Sequence, residues 1–319
     1  MAIGEKSGLK MGQATRDAFG EELKELGAAN PEIVTVDADV GNSTRTEVFA
    51  HAFPKRAFNV GIAESNLVSV GGGLASNGKT AVVASFACFL MCNAYEQIRM
   101  SVAFPGLNVK LVGSHAGISI GEDGPSQMGI EDVALARSFP GMTVIVPCDA
   151  PSAKKATQAM IEHKGPTYLR LGRPKVPVVY PNGCNFEIGK AITVRDGGDV
   201  TIIANGLMVG MALDAAVELA DGGISARVID MHTAKPLDDE AIVKAARETG
   251  AIVVAEEHLA AGGLGSAVAM AVGQTIPVPM AFVNLGDRYA ESGDADGLLE
   301  KYGLTSTAIV EAVRRVVRR

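Results

Sequence analysis

At 319 residues the chain is long for one hydrophobic core and comfortable for two, and 47% hydrophobic with 20% charged residues is an ordinary globular composition. A formal charge of −7, with no Lys/Arg cluster outside the last few residues, excludes a nucleic-acid surface. The start of the chain lacks a signal-peptide core, the most apolar window (81–94) is too short to span a bilayer, and Cys88, Cys92, Cys148 and Cys184 lack metal-ligand spacing; these features predict a soluble cytoplasmic protein with reduced thiols and no membrane contact.

In chain order, residues 13–26 space their apolar side chains helically. Residues 32–36 form a short β-branched run that stops at Asp37-Ala-Asp39, and 57–60 read as a strand ending in Gly61-Ile-Ala-Glu64. A helix rich in Gly and Ala, suited to close packing, is expected over 65–77. A strand at 81–84 follows, then a helix over 90–102, a strand at 109–112, a helix over 130–138, a strand at 144–146 and a helix over 152–163. Prolines 174, 177 and 181, ending in Asn182-Gly183, mark a linker, so the domains are expected at 1–183 and 184–319. The second part repeats the alternation, with strands at 200–204, 226–230 and 251–255 and helices over 208–221 and 238–249. Gly262-Gly-Leu-Gly265 opens another helix and 306–317 form the last. The expected fold class is α/β: two tandem domains, each a mainly parallel sheet with helices on both faces.

Two strand ends carry the chemistry. Glu64 follows Gly61-Ile-Ala at one of them, where a carboxyl can keep a proton available to a ligand; a helix cap or ion pair is the commoner use of such a glutamate. The second is the polar, glycine-punctuated loop from Gly113 to Gln127, which presents His115 and then Gly121-Glu-Asp123-Gly124-Pro-Ser-Gln127. A histidine there can shuttle protons and a carboxylate can read a hydroxyl. Phe86 and Phe89, spaced i and i+3 after a strand, can wall the same sheet end.

Together with Ala14-Thr-Arg16, Gly41-Asn-Ser43-Thr44, Ser85-Phe-Ala-Cys-Phe89 and Arg170-Leu-Gly-Arg173, these motifs resemble the second half of transketolase, its pyrimidine-binding and C-terminal domains. The resemblance implies thiamine diphosphate as cofactor. Glu64 would then be the acid that hydrogen-bonds the aminopyrimidine and favours its imino tautomer, whose exocyclic nitrogen takes the thiazolium C2 proton. It further implies cofactor contacts for Phe86, Phe89 and Asp39, with Phe89 stacked on the aminopyrimidine. His115, contacting cofactor and substrate, and Asp123, hydrogen-bonded to a substrate hydroxyl, would be catalytic with Glu64, and Arg16, Ser43 and Arg173 would form a clamp for an anionic sugar tail, phosphate or sulfonate. Gln127 stands where many microbial and plant transketolases carry histidine and resembles the animal form; it would contact substrate.

Asp37-x-Asp39 does not continue as a calcium loop, and Glu256-Glu-His258, Gly262-Gly-Leu-Gly265 and His232 are read as structural. The resemblance runs along the whole chain but omits the transketolase half that holds the diphosphate through Gly-Asp-Gly…Asn and a cation. Gly121-Glu-Asp-Gly124 has one residue too many for that motif. The expectation is therefore a natural subunit of a split enzyme, with Mg²⁺ or Ca²⁺ held mainly by an N-terminal-half partner, two copies of each in a heterotetramer, and little activity alone. Sugar phosphates would be its substrates. The rival readings are the β subunit of a 2-oxo acid dehydrogenase, a 1-deoxyxylulose-5-phosphate synthase-like enzyme, and a silent scaffold that only regulates a partner.

Overall fold

The computed structural model describes residues 3–317. Two sheets organise it. The first has seven strands in the order Thr233–Lys235, Thr143–Ile145, Thr167–Arg170, Val109–Ser114, Thr80–Phe86, Ile33–Asp37 and Ala57–Asn59, parallel throughout except for the antiparallel edge strand Thr233–Lys235. The second has five: Met280–Val283, Ile252–Ala255, Val200–Ala204, Ala226–Asp230 and the antiparallel edge Ile192–Arg195. Inner strands such as Val109–Ser114 and Val200–Ala204 are buried along their whole length, as strands covered on both faces must be.

The small-residue helix forms at Glu64–Ser76, and its glycines serve contact: a Cβ on Gly72 would lie 2.5 Å from the Ser101 carbonyl oxygen. The segment expected as one helix over 90–102 is instead two wide π-helical turns, Phe89–Asn93 and Arg99–Ala103, flanking a single α turn, Tyr95–Ile98. Apolar periodicity is similar for both windings, so the sequence does not distinguish them.

The two sequence halves interlock. The edge strand Thr233–Lys235 comes from the second half yet completes the first sheet. The N–H groups of Gly4 and Ser7 donate to Asp214 in the helix Met208–Asp221. Ile118, Ile120, Met128 and Ile130 share one continuous core with Val200, Ile202 and Val253.

Deepest in this junction lies Arg170, at the end of its strand. Its Nε donates to Asp132 Oδ2 at 2.8 Å, and the same oxygen accepts the Tyr168 hydroxyl at 2.6 Å. Arg170 Nη2 reaches the carbonyls of Gly129 (3.0 Å) and Glu257 (2.9 Å). Asp132→Ala would leave a buried guanidinium without its counter-charge and is expected to cost about 3–5 kcal/mol. Urea unfolding followed by circular dichroism checks this, and a loss below about 1 kcal/mol contradicts it.

Candidate active site

The carboxyl ends of the first sheet's central strands face one polar recess of about 370 Å³, lined by Arg16, Asn42, Ser43, Arg45, Phe86, His115, Asp123 and Arg173. Six of these were singled out in the sequence. They arrive from separate elements: Arg16 from the first turn of the helix Thr15–Ala29, Ser43 from the short helix Gly41–Thr44, Phe86 from the end of Thr80–Phe86, and His115 just beyond Val109–Ser114. Parallel strands leave such ends side by side, which is why open α/β sheets bind ligands there.

His115 is the most constrained of them. Its backbone is left-handed (φ +57°), a state a non-glycine residue keeps only when its surroundings hold it, at a cost of about 1–3 kcal/mol. Arg16 Nη1 lies 3.0 Å from its Nε2 and Ser114 Oγ lies 2.8 Å from its Nδ1. A guanidinium only donates, so Nε2 accepts, and the neutral ring carries its proton on Nδ1 toward Ser114. Burial, and then the charges of Arg16, Arg173 and Arg45, push the imidazole pKa down to about 3. The ring stacks on Phe86 with centroids 4.0 Å apart, and Phe86 stacks on Phe89 at 5.6 Å.

The cationic wall is held from behind. Arg16 Nη1 also donates to the Ser43 carbonyl at 2.9 Å, and Arg173 Nη1 to the Ile120 carbonyl at 2.7 Å. Asp123 stands 3.9 Å from Arg173, both about two-fifths exposed, so this pair orients more than it stabilises. Burial and then the neighbouring Arg45 lower the Arg16 pKa.

Glu64 is buried at the start of its helix, where Oε1 accepts the Ser85 hydroxyl at 2.9 Å. No hydrogen bond of the described residues occupies Oε2. Through Ser85, the residue that precedes Phe86, the Glu64 carboxyl is tied to the strand end that carries the Phe86/Phe89 pair. Among the described residues no cluster of three or more His, Cys, Asp or Glu is arranged to hold a metal.

Four of the expected residues do not line the recess: Glu64 and Phe89 connect to it through Ser85 and Phe86, and Asp39 and Gln127 stand apart. Asp39 is exposed, accepts Asn59 Nδ2 at 2.8 Å, and lines a neighbouring recess of about 430 Å³ with Asp37, Asn42 and Phe58. Gln127 is not on the wall of the His115 recess; its Oε1 accepts Ser126 Oγ at 2.6 Å and its carbonyl accepts Cys88 Sγ at 3.1 Å. Arg45 and Asn42, by contrast, line the recess without having been predicted. Arg45 does so from a left-handed backbone (φ +69°) that arginine rarely adopts, tied to Asp17 at 2.6 Å.

The motifs read as structural lie in the interior, and the glycine-rich one, expected to serve close packing, also holds an anion. His232 is fully buried against Phe186, and both oxygens of Glu256 accept the N–H groups of Leu264 and Gly265 at 2.7 Å, so the glycine-rich helix start binds an internal carboxylate. No helix of the described residues is long and apolar enough to cross a membrane.

Because the folded state holds His115 far below the ordinary 6.5, the unfolded chain takes this proton first. The stability His115 contributes is present above pH 6.5 and is lost as the pH falls toward 3. Ring ¹⁵N shifts should report a neutral Nδ1–H tautomer from about pH 8 to about pH 5. A ring that titrates at the free-imidazole value refutes the assignment.

Residues 11–178 match the transketolase pyrimidine-binding domain and residues 189–309 the transketolase C-terminal domain. The chain is 43% identical over 305 residues to the 6-deoxy-6-sulfo-D-fructose transketolase subunit SqwH of Clostridium sp. (strain MSTE9), covering 95% of this chain and 94% of that one. It is 38% identical over 307 residues to an apulose-4-phosphate transketolase subunit of Phocaeicola vulgatus, covering 96% and 98%. A solved split-gene transketolase, an inactive β4 tetramer, superposes with a TM-score of 0.90 at 47% identity, covering 96% of this chain and 99% of that one. The chain belongs to the transketolase family, and it carries the pyrimidine-binding and C-terminal domains found in the C-terminal subunit of the split members.

Proposed function

We propose that the chain is the C-terminal subunit of a thiamine-diphosphate-dependent transketolase, moving a two-carbon ketol unit from a ketose phosphate to an aldose acceptor. The observation that carries this reading is the convergence of Arg16, Ser43, Phe86, His115, Asp123 and Arg173 on one recess. Three guanidinium groups suit a phosphate or sulfonate at the far end of a sugar, and two uncharged or weakly paired polar groups suit its hydroxyls.

When bound, thiamine diphosphate supplies the carbanion-type nucleophile that takes up the ketol unit. Glu64, with Ser85 fixing Oε1, would hold the aminopyrimidine through Oε2 by a hydrogen bond to a ring nitrogen. Phe89 lies flat against Phe86 and fixes the plane of a stacked ring. His115 stays uncharged among the arginines, and its Nε2 would accept a hydrogen bond from a substrate hydroxyl once the substrate displaces the Arg16 contact. Asp123 reads a further hydroxyl, and Arg16 and Arg173 anchor the anionic tail. We assign Asp39 to the cofactor and Gln127 to the substrate.

The diphosphate and its Mg²⁺ or Ca²⁺ are assigned to an N-terminal-half partner, in a cytoplasmic heterotetramer of two copies of each chain. The relatives named as subunits support this, and so does the related β4 tetramer described as inactive.

Ketol transfer from xylulose 5-phosphate, with thiamine diphosphate and Mg²⁺, is expected only when this chain is mixed with the product of the gene for the missing half. Activity of the isolated chain, or none in the mixture with any phosphorylated or sulfonated ketose, refutes the assignment. In the active mixture, Glu64→Gln is expected to lower kcat by at least about a hundredfold. Arg173→Ala is expected to raise KM for the anionic ketose about ten- to a hundredfold with a smaller change in kcat. Comparable KM changes for an uncharged ketose would place Arg173 outside the clamp.

A further inference from the structure

The loop that carries His115 and Asp123 turns through a kinked 3₁₀ segment, Ile118–Asp123, and leans on the C-terminal domain. Between Gly117 and Gly124 three glycines take left-handed backbones (φ +82°, +83° and +81° at Gly117, Gly121 and Gly124). Each of them rests on the C-terminal domain. A Cβ on Gly117 would sit 2.1 Å from the Glu257 carboxyl carbon, one on Gly121 3.2 Å from the Gly293 carbonyl oxygen, and one on Gly124 2.2 Å from Ser292 Oγ. Glycine-rich loops with this freedom keep one geometry only where something outside them imposes it.

Glu257 is the polar group that does so. Its side chain is buried, yet Oε1 accepts the Ser119 N–H at 2.6 Å across the domain boundary. Its own carbonyl is fixed by Arg170 Nη2, the same nitrogen that holds the Gly129 carbonyl, and Gly129 in turn accepts the Gly117 N–H at 2.7 Å. Both ends of the turn are thereby tied to one guanidinium. The residue after Ser119 matters directly, because the Ile120 carbonyl accepts Arg173 Nη1. Moving Ser119 moves an anchor of the anion clamp and, three residues on, the carboxylate of Asp123.

We infer that Glu257 is a positioning residue: through the Ser119 N–H it sets the loop that presents His115, Asp123 and the Arg173 anchor, so the C-terminal domain takes part in substrate geometry. This inference rests on the transketolase reading above.

The test compares Glu257→Ala with Glu257→Gln in the enzyme assembled with its partner subunit. The glutamine amide oxygen can still accept the Ser119 N–H; alanine cannot. Glu257→Ala is expected to lower kcat about ten- to a hundredfold, the usual penalty for a misplaced site, with thiamine diphosphate affinity within about twofold, whereas Glu257→Gln stays within about threefold of the parent. Wild-type kcat in Glu257→Ala, or equal losses in the two variants, overturns the inference. If Glu257→Ala does not fold, Glu257→Asp, whose carboxylate is withdrawn by one methylene, replaces it with the same expected direction.

An arm independent of turnover measures hydrogen–deuterium exchange in the full chain alone. Exchange over 117–121 should rise in the alanine variant and not in the glutamine variant, and unchanged exchange in both also overturns the inference. Glu64→Gln in the same activity assay keeps the two claims apart. If it leaves turnover unchanged, the transketolase reading fails, and the exchange arm decides the role of Glu257 by itself.

Discussion

A buried arginine needs a counter-charge and carbonyls to replace its water, and the arrangement of this molecule follows from meeting that need at Arg170. Its guanidinium takes Asp132 from one helix, Gly129 from the end of the active-site loop and Glu257 from the other domain. Its strand lies beside Val109–Ser114 in register, with Gly113 opposite Arg170, so the chain that becomes the His115 loop departs from the side of this charge. Leu171 N–H donates to the Gly113 carbonyl and Ala116 N–H to the Leu171 carbonyl, which carries the strand pairing into the loop. Domain packing and site geometry therefore share one set of hydrogen bonds.

Within the site the dominant effect is electrostatic. Arg16, Arg45 and Arg173 face the cavity, with Asp17 and Glu47 beside Arg45 and Asp123 beside Arg173. Burial first, and then the arginine charges, keep His115 neutral, and the guanidinium groups suit an anionic ligand. The strained backbone of His115 and its flat contact with Phe86 fix the direction in which its Nε2 points. An imidazole in this setting is a neutral hydrogen-bond acceptor at Nε2 and not a stored cation.

Much of this was legible in the chain. The strand and helix at 200–204 and 208–221 coincide with the observed Val200–Ala204 and Met208–Asp221, because long apolar patterns with clear periods leave little ambiguity. The recess residues were legible through ordered motifs, since each lies at a strand or helix end where the sequence changes from apolar to polar. The strand Thr167–Arg170 was not, because four residues ending in arginine carry no apolar alternation; its burial comes from neighbours on both sides. The short edge strand Thr233–Lys235 joins a sheet built mostly from the other half of the chain, a pairing no local pattern encodes. Arg45 and Glu257 were missed for the same reason: one depends on a left-handed backbone, the other on a contact between residues 138 positions apart.

The way the glycine-rich helix start is used bears on how the enzyme attracts its substrate. A helix of this kind ordinarily offers its amino end to a passing anion, with fixed dipoles that ligand motion does not disturb. Here Glu256 occupies that end of Leu264–Gln274, so this helix start is closed to an external anion. On the transketolase reading, capture of an anionic substrate falls to arginine side chains at a partly open recess, whose reach is set by the ionic atmosphere, about 8 Å at physiological salt. Encounter is thus tuned by the surrounding medium, while the geometry of the bound state is set by the buried network behind it.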